Sequence, residues 1–263
     1  MEIVRVRLIN SMGKTNGCEK APVEILKELK KIELTEGGKE INFDKLRFEE
    51  IHVDLNNLEE ANYLIYENAK EIFEKNFKAF FIGGDHSISY SLVRAFDKVE
   101  QNAFLIVFDA HADCMDAMKE PTHEEWLRKL VEEGFNPQNI ILVSTRKLWK
   151  EEKEFLNKNK ILVIKMDVLQ EDLEGVCDLI MERAKNSSGF YISIDIDSVD
   201  PAHAPGTGYL ESGGMSSRDL IYFVKRLWLL DNFRGGDIVE VNPNLDVNGM
   251  SVKLGAKLLS EML

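Results

Sequence analysis

At 263 residues, with 44% hydrophobic and 30% charged side chains, the chain has the composition of an ordinary globular protein and can bury a large core. Its formal net charge of −13 argues against nucleic acid and anionic membrane surfaces as partners and is compatible with a cationic substrate. No apolar stretch approaches the roughly 18 residues of a membrane span. The opening Met1-Glu-Ile-Val-Arg-Val-Arg lacks the apolar region of a signal peptide. Cys18, Cys114 and Cys177 form neither a CxxC pair nor an even disulfide framework, so a cytoplasmic protein with reduced thiols is expected.

Strand-like runs alternate with helix-like ones along the chain. Strands are expected over Ile3–Leu8, Phe48–Val53, Ala79–Ile82, Ala103–Phe108, Ile140–Val143, Ile161–Ile164, Phe190–Ile194 and Ile238–Val241. Apolar spacings of three and four predict helices over Pro22–Lys31, Leu58–Phe77, Ser87–Phe96, Glu124–Glu133, Glu151–Asn157, Leu173–Lys185, Ser217–Leu229 and Ser251–Leu263. Pro22 suits a first helical turn, and Ser217 with Asp219 resembles a helix start. Repeated strand–helix units imply a mainly parallel sheet covered by helices. Eight such units suit a closed barrel as well as an open sheet, and periodicity does not separate the two. With no linker or internal repeat, one domain over 1–263 is expected.

The chemistry gathers where apolar runs end. Phe104-Leu-Ile-Val-Phe runs straight into Asp109-Ala-His111-Ala-Asp113. A continuously apolar run of this length reads as a strand buried on both faces. In an extended segment alternate residues share a side, so Asp109, His111 and Asp113 are expected to converge on one point. Taken alone, the stretch also reads as a solvated loop with aspartate as turn former. The pattern recurs, however. Phe190-Tyr-Ile-Ser-Ile ends in Asp195-Ile-Asp197, and Phe80-Phe-Ile-Gly-Gly-Asp85-His86 places a histidine after a glycine turn. Asp237-Ile-Val-Glu240 sets a carboxylate inside a final apolar strand, where an ionised and unpaired group costs several kcal/mol. A partner for Glu240 is therefore expected.

His86, Asp109, His111, Asp113, Asp195 and Asp197 together supply two imidazoles and four carboxylates. That is too much negative charge for one divalent ion and balances two. The oxygen-rich set favours Mn²⁺ or another hard divalent ion over a thiolate-type zinc site. Two such ions about 3.5–4 Å apart can hold a bridging water and bring its pKa toward about 7.

Gly83-Gly-Asp-His-Ser87, Asp109-Ala-His-Ala-Asp113, Ser193-Ile-Asp-Ile-Asp-Ser-Val-Asp-Pro201, Ala204-Pro-Gly-Thr-Gly208 and Glu240-Val-Asn-Pro243 resemble, in order and spacing, the signatures of the ureohydrolases, which include arginases and agmatinases. Gly17-Cys-Glu-Lys-Ala-Pro22 is similar to that family's early glycine/proline loop. The resemblance implies an open, eight-stranded, mostly parallel sheet with helices on both faces, against the closed barrel. It implies two Mn²⁺ per chain and hydrolysis of a guanidino group to urea and an amine. It makes His86 and Asp113 ligands of one ion, His111 and Asp197 ligands of the other, and Asp109 and Asp195 shared. It also implies a homo-oligomer, commonly a trimer or hexamer.

Glu240 can accept two parallel N–H bonds from a planar guanidinium cation. Asp85 and Asp200 are expected to form turns rather than to ligate. His123 is the candidate proton donor, although the family follows this histidine with glycine and a small residue where this chain has Glu124-Glu125-Trp126. Tyr209 stands where the family tends to have threonine, and is expected to reshape the substrate pocket. His203 is expected beside the site, and His52, at a strand, to be structural. The short Cys114–Thr122 loop favours agmatine as substrate, with arginine next and other guanidino compounds open. In that loop Asp116 and Glu120 are expected to meet a distal ammonium. The reading from another class is a catalytically silent binding subunit.

Overall fold

The structure is a computed structural model and describes residues 1–10, 13–75 and 78–263. In chain order its elements are β1 (Glu2–Val6), α1 (Ala21–Leu29), β2 (Arg47–Ile51), α2 (Leu58–Glu74), β3 (Ala79–Ile82), α3 (Ile88–Val99), β4 (Ala103–Phe108), α4 (Trp126–Glu132), β5 (Ile140–Thr145), α5 (Lys150–Asn159), β6 (Leu162–Lys165), α6 (Met166–Glu171), α7 (Leu173–Lys185), β7 (Gly189–Asp195), α8 (Ser217–Trp228), β8 (Phe233–Val239) and α9 (Met250–Ser260). The eight strands form one open sheet in the order β2-β1-β3-β8-β7-β4-β5-β6, and every pairing is parallel. The expected helix over Leu58–Phe77 ends at Glu74, and its last two expected residues, Asn76 and Phe77, lie outside the described residues.

Strand alternation divides the core in two. Phe80, Ile82, Phe104, Ile106 and Phe108 pack with α1 and α7–α9, whereas Phe81, Leu105 and Val107 pack with α2–α4. Each fully buried side chain of this size contributes about 1.5–3 kcal/mol, and both faces of the central strands are filled, which is why those strands are apolar throughout. Helix α8 is capped one residue earlier than the sequence suggested. Ser216 accepts the Asp219 N–H at 3.2 Å while Asp219 accepts the Ser216 N–H at 2.8 Å.

One element escaped the sequence reading and another was read short. Helix α6 has six residues and is too short to display a helical period. Strand β8 begins at Phe233, well before the expected Ile238, because Phe233-Arg-Gly-Gly looks like a turn. Its glycines are packing positions: a Cβ on Gly236 would lie 2.7 Å from the Ile192 carbonyl oxygen, and one on Gly235 would lie 2.9 Å from the Phe73 ring.

The four central strands, β3, β8, β7 and β4, are consecutive neighbours. Their carboxyl ends therefore deliver four loops to one edge of the sheet, where open parallel sheets place their ligand sites.

Candidate metal centre

The loop after β3 carries Asp85 and His86, that after β4 carries Asp109, His111 and Asp113, β7 ends at Asp195 with Asp197 just beyond, and Glu240 follows β8. His86 is fully buried, and its Nδ1 lies 3.0 Å from Asp113 Oδ2 and 3.2 Å from both Asp109 Oδ2 and Asp195 Oδ2. His111 Nδ1 lies 3.0 Å from Asp197 Oδ2 and 3.5 Å from Asp109 Oδ1. All six expected ligands are thus gathered in two adjoining clusters, with one oxygen of Asp109 turned to each.

The local geometry differs from the expectation in its cause. Asp109, His111 and Asp113 lie beyond β4, and alternation along a strand does not bring them together. Asp109 Oδ1 accepts the His111 N–H at 2.6 Å, and Asp113 has a left-handed backbone, φ 51°. Asp195 and Asp197 repeat the device, with Asp195 Oδ1 accepting the Asp197 N–H at 2.9 Å in a short 3-10 turn. In both segments an aspartate folds its own loop by capping the N–H two residues on. Glu240 also lies past its strand rather than within it, at φ 61°, with its N–H bonded to the Gly84 carbonyl at 2.9 Å.

Behind His86 runs a buried chain. Asp237 Oδ1 accepts the Ser193 hydroxyl at 2.7 Å, and its Oδ2 accepts those of Ser89 and Tyr191. With its proton committed to Asp237, Ser193 Oγ accepts from His86 Nε2 at 2.9 Å. Nδ1 then presents a lone pair to three carboxylate oxygens and has no hydrogen-bond partner. Lone pairs facing one another in a buried site repel unless a cation lies between them, so these residues fit a divalent ion at each cluster. Without an ion, a proton on Nδ1 takes its place. Burial opposes protonation of His86, but Asp109, Asp113 and Asp195 outweigh it and raise its pKa well above the ordinary value. Burial raises Asp113 to about 7, with Asp109 adding to the shift, and raises Asp195 strongly, with Asp197 and Asp109 adding to it.

Glu240 is buried beside this centre. Its Oε1 accepts the His86 N–H at 2.9 Å and its Oε2 the Cys18 thiol at 3.9 Å. Burial, then Asp195 and Asp85, push its carboxyl pKa well above the usual range. His123 is 5% exposed, its two ring nitrogens have no hydrogen-bond partner, and its ring lies 5.1 Å from that of Tyr209. Burial, helped by His86 and His111, lowers its pKa to about 4. Asp85 accepts from the Asn10 N–H and the Thr15 hydroxyl, and Asp200 from the N–H groups of Ala202, Gly213 and Gly214, so both shape loops as expected.

A cavity of about 280 Å³ opens over the centre, lined by His86, His111, Asp113, Asp195, Asp197, Glu240, His123 and Tyr209. Lys14, Lys147, Glu124 and Glu211 line it as well, with Glu211 Oε1 3.7 Å from His111 Nε2 and 3.8 Å from Lys147 Nζ. Asp116 and Glu120 do not line it. Asp116 pairs with Arg128 at 2.5 Å and Glu120 accepts from Asn62 at 2.6 Å, because the loop turns them away. His203 is exposed on a separate groove with Asp200 and Gly213, and His52 lies past β2 with its side chain 85% exposed. Neither neighbours the site nor supports the core.

The sequence reading missed the supporting residues. Arg146 donates to the carbonyls of Asp197 at 2.7 Å and Glu211 at 2.6 Å, tying a ligand loop to the rim. Asp237 and Ser193 stood in quoted motifs, but only the paired strands β7 and β8 put them side by side. No helix among the described residues is long and apolar enough to cross a membrane.

The sequence pattern of the arginase family matches residues 4–263. An agmatinase of Bacillus subtilis (strain 168) is 34% identical over 203 residues, covering 76% of this chain and 68% of that protein. A mitochondrial arginase 1 of Oryza sativa subsp. indica is 31% identical over 244 residues, covering 87% and 69%. Among solved structures, formimidoylglutamase from Bacillus subtilis superposes with a TM-score of 0.93 at 24% identity, covering 99% of this chain and 85% of that one.

Proposed function

The chain belongs to the arginase family, and from that premise we propose that it is a manganese-dependent amidinohydrolase that cleaves a guanidino group to urea and an amine. One observation carries the reading: Glu240 lines the same cavity as the two His/Asp clusters. A planar cation and two divalent ions then have their partners side by side.

Two bound divalent ions supply an activated water and stabilise the charge that develops on oxygen. His86 and Asp113 would hold one, His111 and Asp197 the other, with Asp109 and Asp195 between them. Glu240 grips the guanidinium through paired N–H···O bonds and turns its central carbon toward the clusters. The His86 N–H occupies part of Oε1 and the Cys18 thiol, at 3.9 Å, part of Oε2, so the remaining lone pairs of both oxygens are left for substrate. His123 is neutral at pH 7, so it relays rather than stores a proton. It takes the proton that the attacking water loses and passes it to the departing amine nitrogen. Tyr209, stacked at 5.1 Å on His123, narrows the channel beside it.

The outer end of the substrate meets a rim of both signs. Glu124 and Glu211 suit the distal ammonium of agmatine, the first choice, while Lys14 and Lys147 beside them admit the carboxylate of arginine or of a guanidino acid. The curated relatives include both agmatinase and arginase and do not separate these. A cytoplasmic homo-oligomer completes the proposal, and the three buried free cysteines support a reducing compartment. The test is urea release by manganese-loaded protein from agmatine, arginine and a series of guanidino acids in parallel. Turnover of any of them upholds the reaction and their ranking assigns the outer end. Two bound ions with no urea from any would replace it with the silent subunit.

A further inference from the structure

Three of the four clustered aspartates are held by main-chain donors. Asp109 accepts the His111 N–H, Asp195 accepts the Asp197 N–H, and Asp197 accepts the Ala110 N–H at 3.1 Å. Asp113 is held differently. The indole Nε1–H of Trp126 donates to its Oδ2 at 2.9 Å, and this same oxygen lies 3.0 Å from His86 Nδ1. Trp126 is the first residue of α4 and is completely buried, with its ring centroid 4.7 Å from that of His86 at a 37° tilt. One side chain therefore orients Asp113 by a hydrogen bond and His86 by packing. Among the described residues it makes no such contact with His111 or Asp197.

Indole is a donor only and carries no charge, so it fixes a carboxylate oxygen without neutralising it or competing as a ligand. Asp113 needs such a hold. Its φ of 51° is unusual for a residue with a side chain, and its aim otherwise rests on a loop. Groups that orient ligands in this way typically govern 10–100-fold in metal affinity. We infer that Trp126 is a positioning residue for one ion of the pair, the one assigned to His86 and Asp113, and that it leaves the ion at His111 and Asp197 untouched. The inference rests on the two-ion reading above. His123 lies three residues before Trp126, in the turn that leads into α4.

The experiment is calorimetric titration of Mn²⁺ into the metal-free wild-type chain and Trp126→Phe, which keeps a ring against His86 and removes the N–H. Wild type is expected to take up two ions, and the variant to keep one affinity while the other weakens about 10–100-fold. Packing loss alone lowers thermal stability without choosing between ions, so selective weakening separates the two roles. Unchanged affinities, or equal weakening of both, would overturn the inference. Should the variant not fold, Trp149→Phe/Trp228→Phe leaves Trp126 as the sole tryptophan of the three in the chain. Its fluorescence must then respond to Mn²⁺ in this protein and lose that response when Asp113→Ala is added, and a response that survives Asp113→Ala would also overturn the inference. A wild-type chain that binds a single ion would sink the two-ion reading instead. Trp126→Phe still tests the positioning role in that case, since the one affinity either falls or does not.

Discussion

The backbone N–H of His86 donates to Oε1 of Glu240 at 2.9 Å, and the Glu240 N–H returns a bond to the Gly84 carbonyl at 2.9 Å. Two residues 154 positions apart are thereby locked across the ends of neighbouring strands β3 and β8. The histidine proposed to hold an ion and the carboxylate proposed to hold the substrate are carried on one rigid edge.

Glu240→Gln keeps the shape and the acceptor for the His86 N–H but removes the charge that meets the guanidinium. A charge-assisted hydrogen bond is worth about 1.5–3 kcal/mol, so kcat/KM for the preferred guanidine should fall on the order of 10- to 100-fold. Metal content by elemental analysis should stay at the wild-type level. Unaltered kcat/KM would remove Glu240 from the substrate site.

The two clusters should fail separately. Asp113→Ala and Asp197→Ala each delete an oxygen 3.0 Å from a different histidine. Each variant should retain one tightly bound Mn²⁺ on exhaustive dialysis, and the double variant none. Two tight ions in either single variant would refute the ligand assignment.

His123 sets a pH dependence of stability with a definite sign. Its pKa falls from the ordinary 6.5 to about 4 on folding, chiefly through burial. Between these values the unfolded chain binds the extra proton, so stability drops as pH is lowered from about 6.5 toward 4. The full loss is about 3 kcal/mol at 1.36 kcal/mol per pH unit. His123→Asn should flatten this part of the denaturation profile in urea relative to wild type. Parallel profiles for the two proteins would mean that the histidine is solvated or partnered.

Gly84→Ala tests the strand-end packing. A Cβ there would lie 2.0 Å from the Leu8 carbonyl oxygen, a backbone atom that cannot rotate away. Overpacking of this kind costs about 1–3 kcal/mol or more. The shift also displaces the carbonyl that receives the Glu240 N–H, so the melting temperature and urea release should fall together. A variant with wild-type melting temperature would show that the β3 end yields at little cost.

Each of the eight strands was legible at least in part from a short apolar or alternating run, their parallel arrangement from strand–helix alternation, and the burial of central ones such as Phe104–Phe108 from the lack of any polar face. The six ligand candidates and Glu240 were legible because acidic and imidazole groups placed directly after buried strands need a partner. Local pattern also misled. Alternation along an extended chain suggested a convergence that is in fact made by two aspartate-capped turns. Glycines in Phe233-Arg-Gly-Gly read as a loop, although they sit in β8 to admit the rings of Phe73, Tyr191 and Phe80.

What the sequence determined by itself was therefore the sheet, the family pattern and the chemical character of its edge, since each is written in neighbouring residues. Tertiary structure alone decided which groups touch. Trp126 reaches Asp113, Asp237 backs His86 through Ser193, and Arg146 ties Asp197 to Glu211, while Asp116, Glu120 and His203 turn away from the cavity. The physical reason is that hydrogen bonds and charge pairing act over a few ångströms of space, and strand order sets those distances between segments far apart in the chain.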